Sequence, residues 1–153
     1  CEEEEGNTGA VVDPSQKELT KFKPYADANA MAYLAASYAN VGYRQPELLD
    51  AITKFVSRRL YDFGGFGIAD LLFAFAALGH QVPPELLSAM LARAEAVIGD
   101  CWPEALGRLV WAIAKMGLKV PSLMDKISVQ AKTQIDRFES RDLADFAWGQ
   151  AAL

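Results

Sequence analysis

An all-α, right-handed solenoid of about three and a half helical hairpins is the architecture expected of this 153-residue chain. Three observations lead there. The stretch Leu34-Ala35-Ala36-Ser37-Tyr38-Ala39-Asn40-Val41-Gly42 returns as Leu71 to Gly79 and again as Leu109 to Gly117, a period of 37 to 38 residues. A fourth copy, Phe146 to Leu153, starts the pattern without completing it. Periods of this length belong to stacked helical hairpins, each of which buries its apolar face against its neighbours. The second observation is punctuation: Gly42, Gly79 and Gly117 stand where a left-handed residue would close a helix, and Pro46, Pro84 and Pro121 stand where the next would open. The third is composition, with 52% hydrophobic residues, ample for one continuous core.

Taken in order, residues 1–25 are expected to be an acidic arm, disordered or held by a partner, with six acids, three bases and few large apolar residues. The remainder, residues 26–153, forms the helical-repeat domain. First helices of each hairpin are expected near residues 29–41, 66–78, 104–116 and 141–153, and second helices near 46–60, 84–98 and 121–136. Pro103 opens the third first helix as Pro46, Pro84 and Pro121 open the second helices. Two small-residue columns let neighbouring helices approach: Ser37, Ala74, Ala112 and Gly149, and Ala39, Ala76, Ala114 and Ala151. Large residues fill other columns: Leu34, Leu71, Leu109 and Phe146; Val41, Leu78, Met116 and Leu153; and Ile52, Met90 and Ile127 on the second helices.

Several chemistries lack their residues. The longest central apolar run, Leu71 to Gly79, is far shorter than the roughly 20 residues that cross a bilayer, so membrane association is expected only through partners. Cys1 and Cys101 share no motif spacing, and neither a metal site nor a cofactor is expected. His80 is the single histidine, expected as a solvated turn residue, and no catalytic triad can be assembled around it. Phe63-Gly64-Gly65-Phe66-Gly67 follows no strand and precedes no Lys-Ser or Lys-Thr, so it reads as a flexible connection and not a phosphate loop. Glu95/Asp100 and Asp142/Asp145 read as solvated faces. No enzyme is expected.

Two groups of residues are candidates for binding. Trp102, exposed beside a helix start, and Phe146, Trp148 and Leu153, on a first helix lacking its second, are candidate partner contacts. Arg108, Lys115, Lys119 and Lys126 are the candidate anionic-ligand patch, in a segment (101–138) with six bases against three acids; its neighbour, 63–100, has four acids against one base.

The stretches Leu106 to Gly117 and Phe138 to Trp148 resemble the first helix of octotricopeptide repeats, and the related repeats of FAST-kinase-like and RAP-type organellar proteins of algae, dinoflagellates and apicomplexans. Val82-Pro83-Pro84-Glu85-Leu86-Leu87 is similar to the opening of that family's second helix, with Leu48 and Leu86 where the family often has Trp. The resemblance spans about residues 26–153 and implies an organellar setting, plastid ahead of mitochondrion, with the targeting segment not visible in this chain. It also implies RNA binding. In the column expected to read nucleotides, Tyr33, Asp70, Arg108 and Asp145, two of four residues are acids. The expected function is therefore a non-catalytic scaffold or peripheral subunit stabilising an organellar assembly (photosynthetic supercomplex, respiratory complex or ribosome) through contacts with its protein subunits. The alternative is a small RNA-binding factor in organellar gene expression.

Overall fold

A computed structural model describes residues 27–153, and the expected arm lies outside the described residues. The helices are α1 (Ala28–Val41), α2 (Pro46–Arg59), α3 (Gly65–Ala77), α4 (Pro84–Ala96), α5 (Pro103–Lys115), α6 (Pro121–Lys132) and α7 (Ser140–Ala152). Among the described residues there is no strand. Each second helix tightens into one 3₁₀ turn, at Leu60–Asp62, Ile98–Asp100 and Ile135–Arg137. These turns explain why α4 and α6 stop before residues 98 and 136, the ends expected from periodicity.

Local chemistry sets the boundaries. Helices α2, α4, α5 and α6 have no side-chain cap and begin instead on proline, whose missing N–H removes one of the donors that a first turn leaves unpaired. Helix α1 is capped by Asp27, which accepts from the Asn29 N–H at 3.3 Å. Helix α7 has a reciprocal capping box between Glu139 and Asp142. At the opposite ends Gly42, Gly79 and Gly117 adopt φ of 68°, 62° and 64°. The following N–H groups then reach back into the helix, Tyr43 to the Tyr38 carbonyl at 3.0 Å, His80 to Phe75 at 2.9 Å and Leu118 to Ile113 at 3.0 Å. Three turns of one kind thus close the first helices.

The first helices α1, α3, α5 and α7 pack on one another in chain order and form the main layer, with α2, α4 and α6 against it, an arrangement consistent with a solenoid. Leu71, Leu72 and Phe75 of α3, and Leu106, Leu109 and Ile113 of α5, are fully buried, as are Ile52, Met90 and Ile127 of the second helices. In the first small column Ala74 and Ala112 are buried, and Gly149 lets α7 lie against α5, because a Cβ there would collide with Val110. The columns hold in the middle of the stack and fail at its ends. Val41, expected in the core, is 77% exposed. Ala76 is buried, Ala114 half-buried and Ala151 exposed, so the second column is a margin of the interface.

Successive repeats are also tied by side chains on or just beyond the second helices that donate to carbonyls in and immediately after the preceding 3₁₀ turn. Arg93 of α4 donates to the Tyr61 and Phe63 carbonyls at 3.1 and 3.0 Å. One repeat on, Gln130 of α6 donates to Gly99 O at 3.2 Å, and the buried Gln134 donates to Cys101 O at 2.9 Å. The segment Phe63 to Gly67 is accordingly not the flexible connection expected from its glycines. Phe63 is buried in the core and α3 begins at Gly65, where a Cβ would come within 2.6 Å of Cys101 Sγ. The glycines permit contact between repeats.

Candidate functional site

Residues recurring at three- and four-residue spacing along the first helices carry the side chains left outside the core. Asp70 and Arg108 lie in one column, 38 residues apart, and form an ion pair between α3 and α5. Arg108 also reaches Glu104 at 2.8 Å and lies over the Phe73 ring, 5.2 Å from its centroid. Burial pushes the Asp70 carboxyl above its ordinary range, against the opposing pull of Arg108. Asp70 is thus a buried member of an inter-repeat clasp, not a solvent-facing reader of nucleotides.

Beside this clasp runs an aromatic ladder, which the periodicity carries but which is overlooked when apolar columns are read as core. Phe73, Trp111 and Trp148 recur at the repeat spacing, with centroids 5.2 Å apart for Phe73 and Trp111 and 5.9 Å for Trp111 and Trp148. Phe73 and Trp111 are half-buried and Trp148 is exposed at the end of the row. Because the rings touch one another, their open area is the flank of the row and the outer face of Trp148.

Structure divides the four candidate cations. Arg108 is engaged as described, and Lys126 bridges α6 to α4 by pairing with Glu95 at 2.8 Å. Glu95 also accepts from Ser122 at 2.8 Å, and these two bonds hold its carboxyl below the ordinary range. Lys115 and Lys119 are exposed. The acidic pairs expected on solvated faces have structural work too: Glu95 joins second helices, and Asp142 caps α7.

The candidate partner contacts likewise separate. Phe146 is half-buried edge-on to Phe138, with centroids 5.7 Å apart, so this chain covers part of it. Leu143, Trp148 and Leu153 remain exposed on α7. Trp102 is 61% exposed and lines a groove of about 500 Å³ at the helix starts, together with Phe66, Arg137 and Arg141.

His80 is not the solvated turn residue expected from its position. Its side chain is 6% exposed, its ring tilted against Phe75 with centroids 5.1 Å apart, with Nε2 2.8 Å from Thr53 Oγ1 and 3.9 Å from the Asp50 carboxylate. The Thr53 hydroxyl donates its one proton to the Leu49 carbonyl at 2.8 Å, so the imidazole N–H is the donor to Thr53. Burial lowers the His80 pKa and Arg44 adds to this, while Asp50 opposes both. Cys101 is buried, and burial with the charge of Asp100 pushes its thiol up to about 11. Among the described residues no group of three or more His, Cys, Asp or Glu could hold a metal ion, and no helix is long and apolar enough to cross a membrane.

Fold and surface together define an α-helical repeat protein. The family model described as RNA-editing substrate-binding complex 6 protein matches residues 16–153, and the chain belongs to that family. Among curated proteins none gives a significant match. Of the octotricopeptide resemblance, what stands is the coarser statement, a helical-repeat chain of an RNA-related family.

Proposed function

We propose that this chain is a non-catalytic, RNA-associated subunit of an organellar RNA-editing substrate-binding assembly. The observation that carries this reading is the family match, which spans the helical-repeat domain and extends into the segment before it. It favours the RNA-related alternative over a scaffold of a photosynthetic complex, a respiratory complex or a ribosome, and gives plastid no preference over mitochondrion. The stack of first helices presents an aromatic ladder, and one rim carries an exposed Trp102 beside arginines, surfaces suited to bases and to protein partners. A mainly structural place within that assembly is the second reading, favoured by the engagement of Arg108 and Lys126 with carboxylates of neighbouring helices.

The test is native affinity purification of the tagged chain from its organism, with and without ribonuclease, after ultraviolet crosslinking. The expected result is recovery of RNA-editing substrate-binding subunits together with crosslinked RNA. Recovery of photosynthetic, respiratory or ribosomal subunits in their place, with no editing-complex subunit, would overturn it.

A further inference from the structure

Two grooves meet at Trp102 and Arg137. One, of about 500 Å³, runs between the starts of α3, α5 and α7, past Phe66 and Arg141. The other, of about 490 Å³, runs back along the Ile98–Asp100 turn toward Gln130 and Thr133 of α6. Both volumes fall in the roughly 300–1,000 Å³ range of ligand sites. Because the indole and the guanidinium border both grooves, the pair forms a continuous track with a ridge in its middle, a shape suited to an extended chain more than to a compact ligand.

The charges along the first groove are unevenly committed. Glu104 pairs with Arg108, and Glu139 and Asp142 are taken up by the first-turn N–H groups of α7, whose partial positive charge offsets them. Among the described residues the side chains of Arg137 and Arg141 meet no carboxylate, and both are exposed. The first groove therefore offers free cations and exposed aromatic rings, Trp102 at 61% and Phe66 at 40% exposure, while its carboxylates are already paired or capped; Asp100, on the wall of the second groove, is the acid an RNA chain would have to pass. An aromatic face flanked by unpaired guanidiniums is the chemistry that stacks a base and holds its phosphates.

We propose that this track binds single-stranded RNA, with a base stacked on Trp102 and the adjoining phosphates held by Arg137 and Arg141. The proposal rests on the RNA-associated reading above and adds the site. Arg108 and the self-stacked ladder take no part in it.

The experiment is fluorescence anisotropy of the full chain with a labelled, unstructured, mixed-sequence RNA of about 12 nucleotides, over a series of salt concentrations. Variants are Trp102→Ala, Trp102→Phe, and Arg137→Gln with Arg141→Gln; Lys54→Gln, exposed on α2, is the control outside the track, and circular dichroism melts establish that each is folded. Trp102→Ala is expected to weaken binding about 10-fold, with Trp102→Phe recovering most of it. The arginine pair is expected to reduce the slope of log affinity against log salt by about 1.4, for two phosphate contacts on a single strand. Binding by folded Trp102→Ala and arginine variants equal to that of the unaltered chain overturns the site, and so does failure of the unaltered chain to bind this RNA. Loss of editing-complex subunits from the purified Trp102→Ala protein, with RNA affinity unchanged, also overturns it and assigns the track to a protein partner. None of these outcomes touches the family-level reading, which fails only if the native purification recovers no editing-complex subunit.

Discussion

Arg108 holds carboxylates from two helices at once, Asp70 of α3 and Glu104 of its own α5, and covers Phe73 with the same guanidinium. Removing it strands Asp70 in a site that is largely closed to water, and breaking a buried pair from one side costs about 3–5 kcal/mol. Arg108→Met should approach the lower end of that range, since both side chains keep some exposure. Asp70→Leu combined with Arg108→Met should recover much of the loss, because no unpaired charge remains. Urea unfolding of the two single variants and the double variant measures the coupling; additive losses would show that the clasp contributes nothing. His80 gives a pH effect of definite sign. Its folded pKa lies below the ordinary 6.5, so the unfolded chain binds the extra proton first as pH falls. The contribution of the neutral ring is fully present above pH 6.5 and declines below it, toward the lowered folded value. Between pH 7.5 and 5 the unaltered protein should lose more stability than His80→Gln, compared by denaturant midpoints. Parallel midpoint curves would refute this.

At the scale of elements, the interface between first helices depends on which small-residue column lies at its centre. Sequence alignment offers two columns of equal appearance, and the fold distinguishes them. Ala74, Ala112 and Gly149 lie at the closest approach, whereas Ala114 is only half-buried. Gly149→Ala and Ala112→Leu should each cost about 1–3 kcal/mol by overpacking, and Ala114→Leu distinctly less. Thermal melts rank them, and a larger loss for Ala114→Leu than for Ala112→Leu would reverse the assignment. Gly149→Ala should also move Trp148 away from Trp111, seen as a change in tryptophan emission. On the second helices the sequence shows aligned packing residues and Lys126, but not that Arg93, Gln130 and, just beyond α6, Gln134 fasten the preceding turns by hydrogen bonds to backbone carbonyls. Their sequence signal is weak, since an arginine and two glutamines on or beside a helix look like ordinary surface until the partner turn is in place.

Across the whole molecule, each repeat is stabilised by its neighbours, so stability should fall toward the ends of the stack. Helices α3 and α5 are flanked on both sides by first helices, and much of each is fully buried, while on α7 only Gly149 is buried. Hydrogen exchange of the isolated protein should therefore show the greatest protection in α3 and α5 and the least in α7. Protection of α7 equal to that of α3 would mean that a neighbour covers it, as from self-association through Leu143, Trp148 and Leu153.

Sequence alone determined the repeat length, the seven helices of residues 27–153 and the three turns that run from a left-handed glycine to a proline, because those depend on residues close together in the chain. A left-handed glycine, a proline at a first helical position and an apolar period act over a few residues, and the same signal printed three times is hard to mistake. Tertiary structure alone decided what each polar residue meets. Asp70 and Arg108 look like separate surface charges until α3 and α5 lie side by side. His80 reads as a turn residue until Thr53 of α2, in the preceding hairpin, closes over it, and Phe63 to Gly67 reads as a slack linker until Cys101 fills the space beside Gly65. In the candidate site, Trp102 is legible as an exposed aromatic, but Phe66 and Arg141 come from the neighbouring repeats and Arg137 from the far end of its own, and only stacking places them around it. Periodicity fixes which face of a helix a side chain occupies, whereas its partner depends on the distance and angle between helices that are some 30 to 40 residues apart in the chain.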